Sequence, residues 1–401
     1  MNNRISTGMM FNQSISMMMA KQSKMNHLEQ QLATGKKLVS AKDDPVAAGT
    51  AVGLDRAVAE LDRFARNGDV VQNRLGLQEN ALAQAGDMMA HITELTIQAN
   101  NPALSAADLK SIASELKSVR DGLLSLANST DGTGRYLFGG TDDADAPFKL
   151  SNGVVTYNGD QTQRQVEVAP DTFVKDALPG SEIFLRIRTG DGTLDGSAAT
   201  TNTGTGVLTT FGRDPASGNW DGASYTLRFT GTDAYEVVDA SNTVVKTGVF
   251  KAGDDITFAG VSMRIEGEPK TGDSFGIGTA DARDIFATLD GMITALDNAA
   301  DDPTSVARQQ NILQSGIRDV ARASEKFIDA RAAGGAQLKA IDDAGALRDA
   351  NGVTLKTTLS AMRDLDYAEA IGQYQLEQIS LQAAQTIFTQ MQQMSLFNAI
   401  R

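Results

Sequence analysis

Residues 11–32 read FNQSISMMMAKQSKMNHLEQQL, and the spacing of their large apolar side chains sets the architecture. Phe11, Met18, Met25 and Leu32 recur every seven positions, with Ile15 and Leu28 filling the turns between them. On a helix of 3.6 residues per turn that interval keeps a narrow apolar stripe on one side, as in a coiled-coil strand. The remaining positions are mostly Ser, Gln, Asn and Lys. One such helix buries too little apolar surface to offset the entropy of ordering it, so the stretch is expected to be poorly ordered until it packs on another.

The opposite end repeats the design. Asp366 and Glu369 have capping-box spacing, and Ile371, Tyr374, Leu381, Phe388 and Met391 line a helix that runs on to Leu396 and Phe397. Gln378 and Gln385 fall at two seam positions of that series, where polar side chains weaken a coil but fix its register.

Working inward, Asp43-Asp44-Pro45 punctuates the chain with an acidic cap and a proline at the first helical position. A long helix is expected from there to Asn100-Asn101-Pro102, carrying Leu54, Val58, Leu61, Ala65, Leu75, Leu82 and Met89. Ser105 and Asp108 cap a further helix with Leu109, Ile112, Leu116, Val119, Leu123 and Leu126 in alternating steps of three and four. After Asp131 the pattern changes to Gly-rich turns and strand-like runs, among them 154–157, 183–187, 225–229, 244–250 and 261–265. Residues 190–206, rich in Gly, Thr and Ser, read as an exposed loop. Helix returns at Asp284, breaks at Asp302-Pro303 and resumes through Ile317, Val320, Phe327 and Leu338.

The fold class is therefore α+β, an elongated helical rod and coiled coil formed by the N- and C-terminal segments around an inserted all-β domain. The expected divisions are an N-terminal coiled-coil arm at 1–44, rod halves at 45–148 and 281–365, the β insertion at 149–280 and a C-terminal arm at 366–401.

Composition removes most chemistry. The 401 residues include no cysteine and only two histidines, His27 and His91, which leaves no thiolate and no histidine cluster. A net charge of -14, with 20 acidic against 11 basic residues between 141 and 280, argues against nucleic-acid binding. No run reaches the roughly 18 apolar residues of a membrane span, and no cleavable signal pattern is expected at the N-terminus. Gly35-Lys36-Lys37 lacks the earlier glycine and the following hydroxyl of a phosphate loop, so it reads as a helix stop with a basic last turn. Asp142, Asp143 and Asp145 lack calcium-loop spacing and read as a solvated loop. No catalytic, cofactor-binding or metal-ligating set is expected, and an enzyme acting through the β insertion is the weakest alternative.

Leu28 to Pro45 (LEQQLATGKKLVSAKDDP), Arg135 to Phe148 (RYLFGGTDDADAPF) and Asp366 to Arg401 (DYAEAIGQYQLEQISLQAAQTIFTQMQQMSLFNAIR) together resemble the flagellin superfamily of bacterial axial proteins. Arg4-Ile5-Ser6-Thr7 with Met9-Met10-Phe11, the turn at 136–140 and Ser395-Leu396-Phe397 are more similar to the members that join hook to filament than to flagellin itself. The resemblance covers the helical flanks and leaves 149–280 aside. It implies a structural protein without a cofactor, exported to the flagellum without a cleaved signal. The implied partners are copies of itself in a ring, the other hook-junction protein, flagellin and an export chaperone on the C-terminal helix, with no nucleic acid and no membrane insertion. It also implies that Phe11, Met18, Met25 and Leu32, with Leu28, pair with Ile371, Tyr374, Leu381 and Phe388, and that Met391, Leu396 and Phe397 extend the assembly surface. A filament-forming flagellin, and from another class a cytoplasmic coiled-coil scaffold, are the alternatives.

Overall fold

The computed structural model describes residues 7–399 other than 102 and 152, with side chains from 8 to 392. Among the described residues there are six α-helices: α1 (Thr7–Thr34), α2 (Pro45–Ala99), α3 (Ala106–Ala127), α4 (Ile285–Asp297), α5 (Pro303–Arg363) and α6 (Tyr367–Ala399). The chain divides into two compact units, Met1–Arg66 with Ala344–Arg401, and Asn67–Asp343.

Helix starts follow their caps. Asp44 Oδ1 accepts the amides of Val46 and Ala47 at 3.0 and 2.9 Å ahead of α2. Ser105 and Asp108 form a reciprocal capping box at α3, and Asp302 accepts the Ser305 amide at 3.0 Å at α5. Each satisfies amides that the first helical turn leaves without partners.

In the first unit, α1 and α6 run beside each other and the near part of α2 buries Phe64. Arg363 of α5 reaches Asp55 of α2 at 3.4 Å.

In the second unit, Leu82, Met89 and Ile92 of α2 and Leu116 of α3 share one core with Phe138, Phe148, Phe184, Phe286 and Phe327. Phe184 is its hub, with ring centroids 5.4 Å from Phe138, 5.5 Å from Phe148 and 5.4 Å from Phe327. The edge contacts with Phe138 and Phe148 add to what burial of the rings supplies.

Among the described residues fourteen strands lie between α3 and α4: β1 (Phe148–Ser151), β2 (Val154–Tyr157), β3 (Gln165–Ala169), β4 (Thr172–Lys175), β5 (Ile187–Arg188), β6 (Leu194–Ala198), β7 (Val207–Arg213), β8 (Tyr225–Phe229), β9 (Ala234–Asp239), β10 (Val244–Val249), β11 (Asp255–Phe258), β12 (Val261–Glu266), β13 (Ser274–Thr279) and β14 (Ala282–Arg283). A five-stranded sheet in the order β10-β9-β8-β13-β6 and a three-stranded sheet β11-β12-β7 are antiparallel throughout. Leu194, Leu208, Leu227, Val237, Met263 and Phe275 belong to the core these strands share.

Three expectations are corrected. Residues 190–206 are not an exposed loop, because β6 lies within them and Asn202 and Asp273 clamp the segment between β6 and β7. Asn202 donates to Ser274 O at 3.0 Å, and Asp273 accepts the Thr203 and Gly204 amides at 2.7 and 2.9 Å. The small residues answer to packing instead of solvation: a Cβ on Gly196 would lie 2.6 Å from Phe211 Cδ1. Of the expected strand at 183–187 only Ile187, the first residue of β5, is in a strand. Ser181–Leu185 form one π-helical turn, which buries the consecutive side chains Ile183 and Phe184 together, whereas a strand would point one of them outward. The third correction concerns the acidic cluster. Asp143 is buried and holds Arg74, Arg135 and Arg164, each at 3.1 Å, while Arg74 also donates to Tyr136 O at 2.9 Å. This ion cluster ties α2, the 136–140 turn and the segment before β3 into one unit.

Candidate assembly interface

The seam between α1 and α6 begins where both chains turn. Helix α1 stops at Gly35, whose φ of +66° suits glycine, and a Cβ there would sit 2.8 Å from the Tyr367 hydroxyl. Lys36 and Lys37 lie beyond the helix instead of in its last turn. They join an antiparallel bridge in which Lys37 N donates to Arg363 O at 2.7 Å and Leu365 N donates to Gly35 O at 3.0 Å. Asp366 then caps α6 through the Ala368 and Glu369 amides at 2.9 and 3.2 Å. Glu369, expected to return the bond, instead accepts from Gln373 at 3.0 Å.

From that bridge the two helices run antiparallel. Tyr374 donates to Glu29 at 2.9 Å, Glu377 receives Lys21 at 3.1 Å and Lys24 at 2.7 Å, and the rings of Phe11 and Phe388 stand 4.9 Å apart. Hydrogen bonds from Lys24 and Lys21 hold the Glu377 carboxyl below the usual glutamate range. Leu28 and Leu381 are buried in the seam, 5% and 7% exposed. Met18, Met25, Leu32, Tyr374, Phe388 and Met391 are half-buried.

Counting from Leu381 in steps of four and three, the inward positions of α6 are 370, 374, 377, 384, 388 and 391. Ile371 therefore falls outside the seam at 46% exposed, and the smaller Ala370 takes its place. For the same reason Gln378 and Gln385 face outward, and Glu377 and Ala384 fill their positions. The polar seam residue is thus a paired glutamate. The side chains of Leu396 and Phe397 and the stretch Arg4-Ile5-Ser6 lie outside the described residues.

Sequence reasoning missed a second stripe on α6. Leu376, Ile379 and Ile387 are 70%, 65% and 57% exposed, and with Ala383 between them they recur in steps of three and four, away from α1. On α1, Met9, Met17 and Met19 are also exposed. The signal was present as a second heptad series in α6, hidden because only the strongest stripe was followed.

Among the described residues, no group of three acidic or histidine side chains is placed to hold a metal ion, and no helix is long and apolar enough to cross a membrane. His27 faces Asp43 at 3.5 Å and His91 faces Glu115 at 3.1 Å, each as a surface pair. The chemistry on offer is packing between helices.

The bacterial flagellin N-terminal helical region matches residues 5–143. The crystal structure of FlgL from Xanthomonas campestris is 62% identical, covers 77% of this chain and 99% of its own, and superposes with a TM-score of 0.73. The chain belongs to the FlgL family. The Legionella pneumophila flagellar junction protein FlgL superposes with a TM-score of 0.66 at 27% identity, over 72% of this chain and 98% of its own. Flagellar hook-associated protein 3 of Escherichia coli (strain K12) is 26% identical over 399 residues, 98% of each chain. As a FlgL family member, the protein is a structural component of the bacterial flagellum at the hook-filament junction. The α+β architecture, long terminal helices around an inserted β-rich domain, is the one found in FlgL structures.

Proposed function

We propose that this chain forms a ring of identical copies between the hook and the filament, in contact with the other hook-junction protein on one side and with flagellin on the other. The observation that carries the reading is the pair of stripes on α6: one packs on α1, and the other, through Leu376, Ile379 and Ile387, is left without a partner within the described residues.

Energetics favour a neighbouring copy as the cover. Helices α1 and α6 span 28 and 33 residues, and fixing each residue costs roughly 1–2 kcal/mol of backbone entropy. Each buried leucine of the seam returns only about 1.5–3 kcal/mol. Intrahelical hydrogen bonds narrow the gap, yet a thin seam alone leaves such arms marginal. Helices α1 and α6 therefore order fully on assembly, when the outer stripe is covered as well. Before that point they suit a chain exported unfolded without a cleaved signal, its C-terminal helix held by a chaperone.

Deletion of the gene in a motile host tests the reading. Hooks are expected to persist without attached filaments while flagellin accumulates in the medium, and filaments of normal number and length would overturn it.

A further inference from the structure

Strand β6 ends its sheet, bonded on one side only, to β13. Ala199 just beyond it donates to Ser274 O at 3.0 Å, so by strand alternation Ser197 and Asp195 also turn toward β13 and Gly196 and Ala198 turn away. Gly196 O indeed faces outward, where it accepts from Arg318 Nη2 at 3.4 Å. Outside this edge lies a cavity of about 410 Å³, closed by α4 and α5 through small side chains such as Ala287, Gly291, Ala307 and Ser315.

Its charge runs against that of the chain. In a protein of net charge -14, the groove is lined by Arg283, Arg308 and Arg318 against the single carboxylate Asp319, whose Oδ2 is held by Arg283 at 2.6 Å. Arg318 Nε and Asp319 Oδ1 are buried without hydrogen-bond partners, so the polar groups beside the groove are not all paired within the chain. From Arg308 to Arg318 the helix rises about 15 Å, the length of four to five extended residues at ~3.3 Å each.

We propose that this groove binds an extended acidic peptide, which adds as a strand to the free edge of β6 beneath the α5 arginines. Main-chain bonds to Gly196 and Ala198 supply register, the alanine and glycine walls admit only small side chains on the inner face, and Arg308 and Arg318 select carboxylates. Nothing in this inference depends on the terminal arms or on the ring.

The test uses the full chain in dilute solution and a dye-labelled, acetylated and amidated pentapeptide alternating alanine and aspartate, followed by fluorescence polarisation. Saturable binding is expected, at least fivefold weaker for the lysine counterpart and at least tenfold weaker for a peptide N-methylated at alternate amides. Gly291→Phe, at a position where a Cβ meets nothing within 4 Å, fills the groove and should abolish binding with an unchanged circular dichroism spectrum. Arg308→Glu, on the exposed rim, should weaken binding at least fivefold even if the first variant is disturbed. Absence of saturable binding overturns the proposal, as does equal binding of the lysine or N-methylated peptide. Free succinate binding as tightly as the peptide would assign the groove to a small anion instead.

Discussion

Lys21 Nζ and Glu377 Oε2 lie 3.1 Å apart across the seam of the two terminal arms, with Lys24 on the other carboxylate oxygen at 2.7 Å. A charged group at a seam position costs packing and fixes register, since sliding the helices by one heptad would set Glu377 opposite an apolar residue. Glu377→Lys should therefore reduce the number of attached filaments per cell severalfold, and adding Lys21→Glu with Lys24→Glu should restore it. Failure of the triple variant to recover would remove the register role.

The same pair carries a pH dependence. The Glu377 carboxyl titrates below its ordinary range in the folded seam, so its contribution is complete above the unfolded value of about 4.3 and is lost as the pH falls through the lowered folded value. Acid-driven release of filaments should begin below about pH 4.3, and Glu377→Gln should remove that part of the profile in a shear assay at stepped pH.

Because the protein has no cysteine, a thiol pair can be introduced without background. Phe11→Cys with Phe388→Cys, where the ring centroids stand 4.9 Å apart, should react with a short bifunctional thiol reagent in assembled flagella and much more slowly in free monomer. Phe11→Cys with Ile379→Cys, on the outer stripe, should not link within a chain. Equal rates in monomer and assembly would argue that the arms are ordered before they assemble.

Much of this architecture was legible. The seven-residue spacing from Phe11 to Leu32, the Ser105 and Asp108 box and the change of period after Asp131 each reflect local geometry, which sequence records directly. What escaped depends on distant residues. Asp143 looks solvated beside Asp142 and Asp145 until α2 brings Arg74 against it from 69 residues away. The Gly/Ser/Thr stretch around Gly196 looks like a loop until Phe211 explains why only a small residue fits. On α6 the seam phase turned on Ala370, a residue too small to stand out beside Ile371.

Asp143 offers a stability test. Removing its carboxylate leaves Arg74 buried without its nearest counterion, and losses of about 3–5 kcal/mol are usual for a broken buried pair. Asp143→Ala should lower the denaturation midpoint of the full chain accordingly. Arg135→Gln, at the exposed end of the cluster, should cost under about 1 kcal/mol. Similar losses from both would mean that Arg74 is served by Asp131, 3.8 Å away.

A second titration acts in the opposite sense. Asp284 caps α4 through the Phe286 amide at 2.7 Å, and burial pushes its carboxyl up to about 6. Between about pH 4 and 6 the folded chain holds a proton that the unfolded chain has released, so this group's contribution falls as pH rises through that window. The penalty at neutral pH would reach about 3 kcal/mol for full burial, and partial solvent contact brings it to about 1. Asp284→Asn keeps the cap and should raise stability by about 1 kcal/mol at pH 7 with no gain at pH 4, as read from paired urea titrations.

The most direct test of the central claim leaves the α1–α6 seam intact and alters only the outer stripe. A strain whose single copy carries Leu376→Glu, Ile379→Glu and Ile387→Glu should export the protein and keep its hooks, yet electron microscopy should show hooks without filaments and blotting should show flagellin in the medium. Filaments of normal number and length on those hooks would contradict the assignment of that stripe to contacts between copies.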